Sequence, residues 1–189
     1  MTAAPLSTHR ATRLDSAGHA IENRSSASAS WARWLSAAVR ISLGWTFFWA
    51  FLDKMFSLGH ETVNGGGWLD GGSPTEGFLT MGTAGPFKDA YASIAGAGWA
   101  DALFMMGLLG IGVALLLGVA MRAAAVSGAL LLFLMWTAVL PPNNNPFMDY
   151  HLIDAMVLGV LALTGAGHTF GLGRRWEALP IVQRIPALR

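Results

Sequence analysis

The 189-residue chain contains no cysteine. That excludes disulfides, thiolate catalysis, haem attachment through thioether bonds and cysteine-ligated iron–sulfur clusters. Charge is also scarce. Asp, Glu, Lys and Arg make up 12% of the residues, where a soluble domain carries about 25%. The formal net charge of +1 says little as a total, and nucleic acid is not an expected partner. What the chain has instead is apolar: 53% of it is hydrophobic, with eight tryptophans and 23 glycines. Glycine and interfacial tryptophan are both enriched in membrane proteins. The length fits one domain.

Four apolar segments stand out: Trp34 to Leu58, Trp99 to Met121, Ala123 to Leu140, and Pro146 to Ala166. Each approaches the ~20 residues that cross ~30 Å of hydrocarbon as a helix. The second and third are separated by Arg122 and predict a tight helical hairpin. Arg10, Arg13, Arg24, Arg33 and Arg40 precede or open the first segment, and Arg174, Arg175, Arg184 and Arg189 follow the fourth. With Arg122 they put ten of the 12 basic residues on one side, leaving Lys54 and Lys88. The positive-inside rule then places both termini in the cytoplasm. The expected protein is all-α: a polytopic four-helix bundle in the plasma membrane over 31–170, with an outer loop over 59–98. Residues 1–30, rich in Ala, Ser, Thr and Arg without an apolar core, read as a disordered cytoplasmic tail and not a cleavable signal. Residues 171–189 read as a second cytoplasmic tail.

The outer loop carries helix signals of its own. Ser73-Pro74-Thr75-Glu76 is a capping-box pattern with proline at the first helical position. Gly85-Pro86 restarts a short helix with Phe87, Tyr91 and Ile94 on one face. Both predict short interfacial helices, serving as a lid over a site or as a structural cap.

The chemistry concentrates in "NPFMDYHLIDAMVL", Asn145 to Leu158. Asn145-Pro146 predicts a helix start with asparagine as cap. His151 and Asp154, three apart, share a face with Phe147 and Leu158. Asp149, two before His151, points nearly the other way if it is helical. It is either an interface-wetted helix end or a group held by the helix dipole. Asp154 lies deeper, and an ionisable residue at that depth is a functional candidate. In the first helix, Arg40 and Lys54 are 14 residues apart on one stripe, about 21 Å along the axis. Arg40 reads as snorkelling to the inner interface. Lys54 either snorkels or pairs with Asp149 or Asp154, or holds an anionic substrate. A metal held by Asp149, His151 and Asp154, with His60 and Glu61 as added ligands, is not expected, because no second Glu-x-x-His motif is present. Proton handling fits better, since histidine titrates near neutrality. Reducing a quinone takes two protons and hydrogen bonds to two carbonyls, which His, Asp and aromatics at a bilayer edge supply. Gly110, Ala114 and Gly118, and likewise Ala155 and Gly159, form small-residue stripes for close helix contact. Met105 and Met106 read as packing.

Three stretches resemble the DoxX/DoxD-like family of small four-helix membrane proteins: "RISLGWTFFWAFLDKMF", Arg40 to Phe56; "WLDGGSPTEGFL", Trp68 to Leu79; and "NPFMDYHLIDAMVLGVLAL", Asn145 to Leu163. The resemblance implies a subunit of the thiosulfate:quinone oxidoreductase type, oxidising thiosulfate to tetrathionate and reducing a membrane quinone. Lys54 would then attract thiosulfate, His151 and Asp154 would hydrogen-bond and protonate the quinone, and Asp149 would orient Lys54 or His151. Trp68 would cover the site, and Asn145 would be a further substrate contact. A second oxidoreductase subunit or redox partner, and a homo-oligomer, are candidate partners beside the bilayer. The competing class is a non-enzymatic membrane scaffold that docks or assembles a redox partner and uses the same polar cluster to fix helix register.

Overall fold

The computed structural model describes the backbone of residues 7–143 and 145–188, with side chains from residue 27 onward. In chain order its α-helices are α1 (Ser7–Phe56), α2 (Lys88–Ala92), α3 (Gly98–Leu117), α4 (Met121–Ala138), α5 (Tyr150–Leu163), α6 (Gly173–Glu177) and α7 (Pro180–Arg184). Among the described residues there is no strand. Three stretches are long and apolar enough to cross a membrane: Ala27–Phe56 within α1, Gly98–Leu117 and Met121–Ala138. They correspond to the first three expected spans. α1 also continues upstream through much of the 1–30 stretch assigned to a tail. Ala and Arg favour helix there, and no proline follows Pro5 until Pro74. Residues 1–6 of that tail lie outside the described residues.

The fourth span is shorter than expected. α5 has 14 residues, about 21 Å at 1.5 Å per residue, and it starts at Tyr150 rather than Pro146. The Asn145 side chain does cap, but it caps a turn: its Oδ1 accepts from the backbone N–H of Phe147 and of Met148, both at 2.9 Å. Asp149 is the helix cap instead. At the far end Gly165 takes a left-handed φ of 68° and closes the segment.

α1 packs on α3, α3 on α4, and α4 on α5, while α1 and α5 touch sparsely. The shared core includes Phe47, Leu108, Ile111, Leu115, Leu132, Leu158 and Leu161. Residues 118–120 form the α3–α4 turn. Gly118 is left-handed (φ 69°), and the Val119 N–H reaches back to the Ala114 carbonyl at 3.0 Å, the Schellman closure that satisfies last-turn carbonyls. Arg122 therefore lies in the first turn of α4 and not in the hairpin turn.

Of the glycines in the expected stripes, Gly118 is closely packed, a Cβ there standing 2.9 Å from the Gly167 carbonyl oxygen, but the α1–α3 and α4–α5 contacts run through other glycines. A Cβ on Gly112 would stand 2.7 Å from the Phe48 nitrogen, and one on Gly44 would stand 2.9 Å from the Leu116 nitrogen. Gly128 similarly faces Leu158, whereas Gly110 and Gly159 have nothing within 4 Å. Three-residue and four-residue spacings both occur in "GLLGIGVALLLG", so periodicity alone does not choose the face that meets α1. Gly112→Ala should therefore destabilise the protein by about 1–3 kcal/mol, as overpacking against backbone does, while Gly110→Ala is neutral or slightly stabilising. Paired denaturation curves in detergent check this, and equal effects of the two changes would refute the α1–α3 register.

Buried charges pin the ends of these helices. Arg40 is fully buried and does not snorkel. Its guanidinium donates to the carbonyls of Leu115 and Leu116 at the C-terminus of α3 and of Thr169 and Phe170 beyond α5. Last-turn carbonyls lack intrahelical partners and carry the negative end of the helix dipole, so a cation belongs there. At the opposite end, Asp53 accepts from the backbone N–H of His60, Glu61 and Thr62 at 3.2, 3.0 and 2.8 Å. Asp101, in the first turn of α3, accepts from Ser73 Oγ (2.8 Å), Thr75 N–H (3.1 Å) and Thr75 Oγ1 (2.6 Å).

The expected loop helices form in part. Ser73 Oγ accepts from Glu76 N–H at 3.1 Å, and the turn it starts runs into a π-helical turn over Phe78–Gly82. Gly85–Phe87 and α2 follow. Tyr91 from this face docks on α4, its hydroxyl 2.6 Å from Thr137 Oγ1. Near the C-terminus α6 and α7 fold over the 171–189 stretch, with Val182 fully buried and Arg122 donating to the Pro186 carbonyl at 3.3 Å.

Candidate site at the head of α5

Asp149 has an extended backbone, φ −141° and ψ −179°. This reverses the sequence-based geometry. Residues two apart oppose each other only inside a helix, and Asp149 stands just outside one. From the cap position one carboxylate oxygen accepts from the Leu152 N–H at 3.2 Å, and the other lies 2.6 Å from His151 Nδ1. A single carboxylate thus caps the helix and fixes the imidazole. Tyr150 stacks on the His151 ring, with centroids 4.0 Å apart.

His151 is 3% exposed. A carboxylate only accepts, so Nδ1 carries the hydrogen of this bond and Nε2 is left as the free acceptor of the neutral ring. Nε2 is buried and has no hydrogen-bond partner among the described residues. A buried polar atom without a partner costs about 1–3 kcal/mol, so Nε2 calls for a hydrogen-bond partner that the described side chains do not supply.

Asp154 lies one helical turn deeper on the same helix, half-buried, and makes no hydrogen bond or ion pair among the described residues. It lines a groove of about 430 Å³ between α1 and α5, together with Leu35, Ala38, Val39, Ser42, Leu43, Thr46 and Val157. His151 is near enough to bear on its charge.

Lys54 does not join this cluster as an ion-pair partner. Its ammonium meets Glu61 Oε2 at 3.2 Å, with the lysine side chain 16% exposed and the glutamate 79% exposed. Neither Asp149 nor Asp154 is its counter-ion. Glu61 is nevertheless close enough to act electrostatically on Tyr150, so the Lys54–Glu61 pair and the Asp149–His151 pair share one end of the molecule. Trp68, in a 3-10 turn over Trp68–Asp70, is half-buried against the core near the end of α1. Asn145 is exposed, its side-chain oxygen committed to the turn described above. His60 edges onto the Trp49 ring at 5.2 Å.

The sequence brought His151, Asp149 and Asp154 to attention but missed Asp53, whose carboxylate organises the loop carrying Glu61. The only signal was an aspartate beside Lys54 in an otherwise apolar helix. A charge that costs so much in that setting calls for a partner, and the partners are backbone N–H groups, which sequence does not display.

No family model, no curated protein and no solved structure matches this chain.

Proposed function

We propose that this chain is an integral membrane subunit of a quinone-linked oxidoreductase of the thiosulfate:quinone oxidoreductase type, as its resemblance to the DoxX/DoxD-like family implies. In this reading α1, α3, α4 and α5 form a four-helix bundle in the plasma membrane. Both termini are cytoplasmic, and the loop over 59–98 faces outward. The observation that carries the reading is His151: an imidazole clamped by Asp149 on one nitrogen and unpartnered on the other, at the mouth of an apolar helix.

The reaction balances without any protein thiol. Two thiosulfate dianions joined through a sulfur–sulfur bond give tetrathionate and release two electrons. A quinone takes up those two electrons and two protons to become quinol. His151, protonated, donates from Nε2 to a quinone carbonyl, and Asp149 stabilises the imidazolium. Asp154 offers a second protonatable group one turn deeper. Lys54, at the same end of the molecule as the Asp149–His151 pair and with one exposed carboxylate partner, attracts the thiosulfate dianion.

The reading is tested with purified protein in lipid nanodiscs, supplied with thiosulfate and quinone. Thiosulfate-dependent quinol formation that falls in both Lys54→Ala and His151→Ala supports it, and unchanged turnover in both variants removes the assignments. The orientation is tested separately, and the lack of native cysteine makes that test clean. A single cysteine at Asn143 should react with a membrane-impermeant maleimide in intact cells, whereas one at Arg175 should react only after permeabilisation. The opposite pattern would invert the topology.

A further inference from the structure

The groove between α1 and α5 is built as a trough with a polar head. α1 and α5 run antiparallel: Arg40 meets the Phe170 carbonyl beyond the end of α5, while Glu61 beyond the end of α1 acts on Tyr150 at its start. Asp154, one turn below His151, therefore stands at the end of the groove nearest Thr46. From there the lining residues of α1 descend through Ser42 and Ala38 to Leu35. The step from Thr46 to Leu35 is 11 residues, about 17 Å of helix. Ala38, Ser42 and Thr46 are short side chains along α1 and leave space between the two helices. The trough stays open sideways because α1 packs on α3 and barely meets α5.

From this arrangement we infer that the groove seats the isoprenoid tail of the quinone, with the ring at Asp154 and His151 and the chain laid along α1 toward Leu35. The inference rests on the quinone-linked reading above and adds where the co-substrate enters and lies. Two features select this occupant. The groove ends on the Asp154 carboxyl, which has no hydrogen-bond or ion-pair partner among the described residues and can donate when protonated, with His151 one turn above it on the same helix, so its ligand has a hydrogen-bonding head. Its remaining length is lined mainly by aliphatic side chains and opens along the flank of apolar helices, so the rest of the ligand is a linear hydrocarbon that arrives from the bilayer. A simple acyl lipid satisfies the second condition and not the first, since ester-linked headgroups sit at the interface and not one turn inside the helix.

The test compares two probes: ubiquinone with a long isoprenoid tail, and the same ring with the tail removed. Binding is read in detergent from quenching of tryptophan fluorescence; Trp45 lies one turn from Ser42 on α1. The wild-type protein should prefer the tailed form. Ala38→Phe and Ser42→Phe each fill the trough from an exposed position and should reduce that preference by about tenfold or more, since each methylene kept in water costs a several-fold loss of affinity. Leu130→Phe, on the exposed face of α4, is the control and leaves the preference as it was. Two variants are used so that a folding failure in one does not decide the matter. A wild-type preference that persists in both groove variants overturns the tail assignment while leaving the quinone reading intact. If the wild-type protein binds neither probe, the quinone reading falls and this inference falls with it.

Discussion

Replacing His151 with alanine is expected to lower thiosulfate-dependent quinone reduction by about a hundredfold or more, the usual contribution of a positioned proton donor. The loss should appear in kcat as well as in KM, because the Nε2 bond strengthens as charge develops on the quinone oxygen. Asp149 separates the two jobs its carboxylate does. In Asp149→Ser the helix keeps a competent cap, so stability changes by only a few tenths of a kcal/mol, but the imidazole loses its anchor and activity falls by about tenfold or more. In Asp149→Ala both effects appear, with about 1 kcal/mol of helix stability lost in addition. Steady-state kinetics and detergent unfolding on the same three proteins check this. Equal activity losses that track stability would mean that the pair is only a helix cap.

The largest stability effect is expected at Arg40. Its guanidinium serves carbonyls from two separate elements, the end of α3 and the segment after α5. Arg40→Met leaves those acceptors without a donor in a dry site, a loss of about 3 kcal/mol or more. Arg40→Lys keeps the charge but not the planar fork, and one ammonium cannot address both elements, so it restores part of the loss and not all. Arg33, exposed and bonded to Ser30 Oγ at 3.1 Å, serves as the comparison: Arg33→Ala shifts unfolding by less than about 0.5 kcal/mol. A midpoint for Arg40→Met that matches Arg33→Ala would contradict the clamp.

These residues also show what was readable in advance. The helices α3 and α4 were legible within a few residues, because eighteen or more apolar residues in a row need no partner to be recognised. Their exact facing was not. Gly44 and Gly112 become contact residues only once α1 lies on α3, and nothing within either segment ranks Gly112 above Gly110. The start of α5 was misplaced by four residues because two asparagine- and aspartate-type caps follow each other, and either satisfies the local rule. That displacement mattered for the chemistry. It moved Asp149 from the far face of a helix to a cap that turns back on His151, converting two separate ionisable groups into one bonded pair. From sequence Arg40 reads as an interfacial cation, because basic residues near a span end usually are. Its carbonyl partners come from elements 75 or more residues away, a separation that no local pattern reports. Lys54 was assigned to the right end of the molecule, but its partner came from the adjoining loop, as Glu61.

The central claim is that the free Nε2 of His151 takes a quinone oxygen. The most direct measurement is the nitrogen NMR spectrum of protein labelled with nitrogen-15 in its five histidines, with the His151 signals assigned by their absence in His151→Gln. On adding long-tailed ubiquinone, the Nε2 resonance should move toward that of a hydrogen-bonded, protonated nitrogen, while Nδ1 keeps the signature of its bond to Asp149. An Nε2 resonance that stays where it was at saturating quinone would contradict the account.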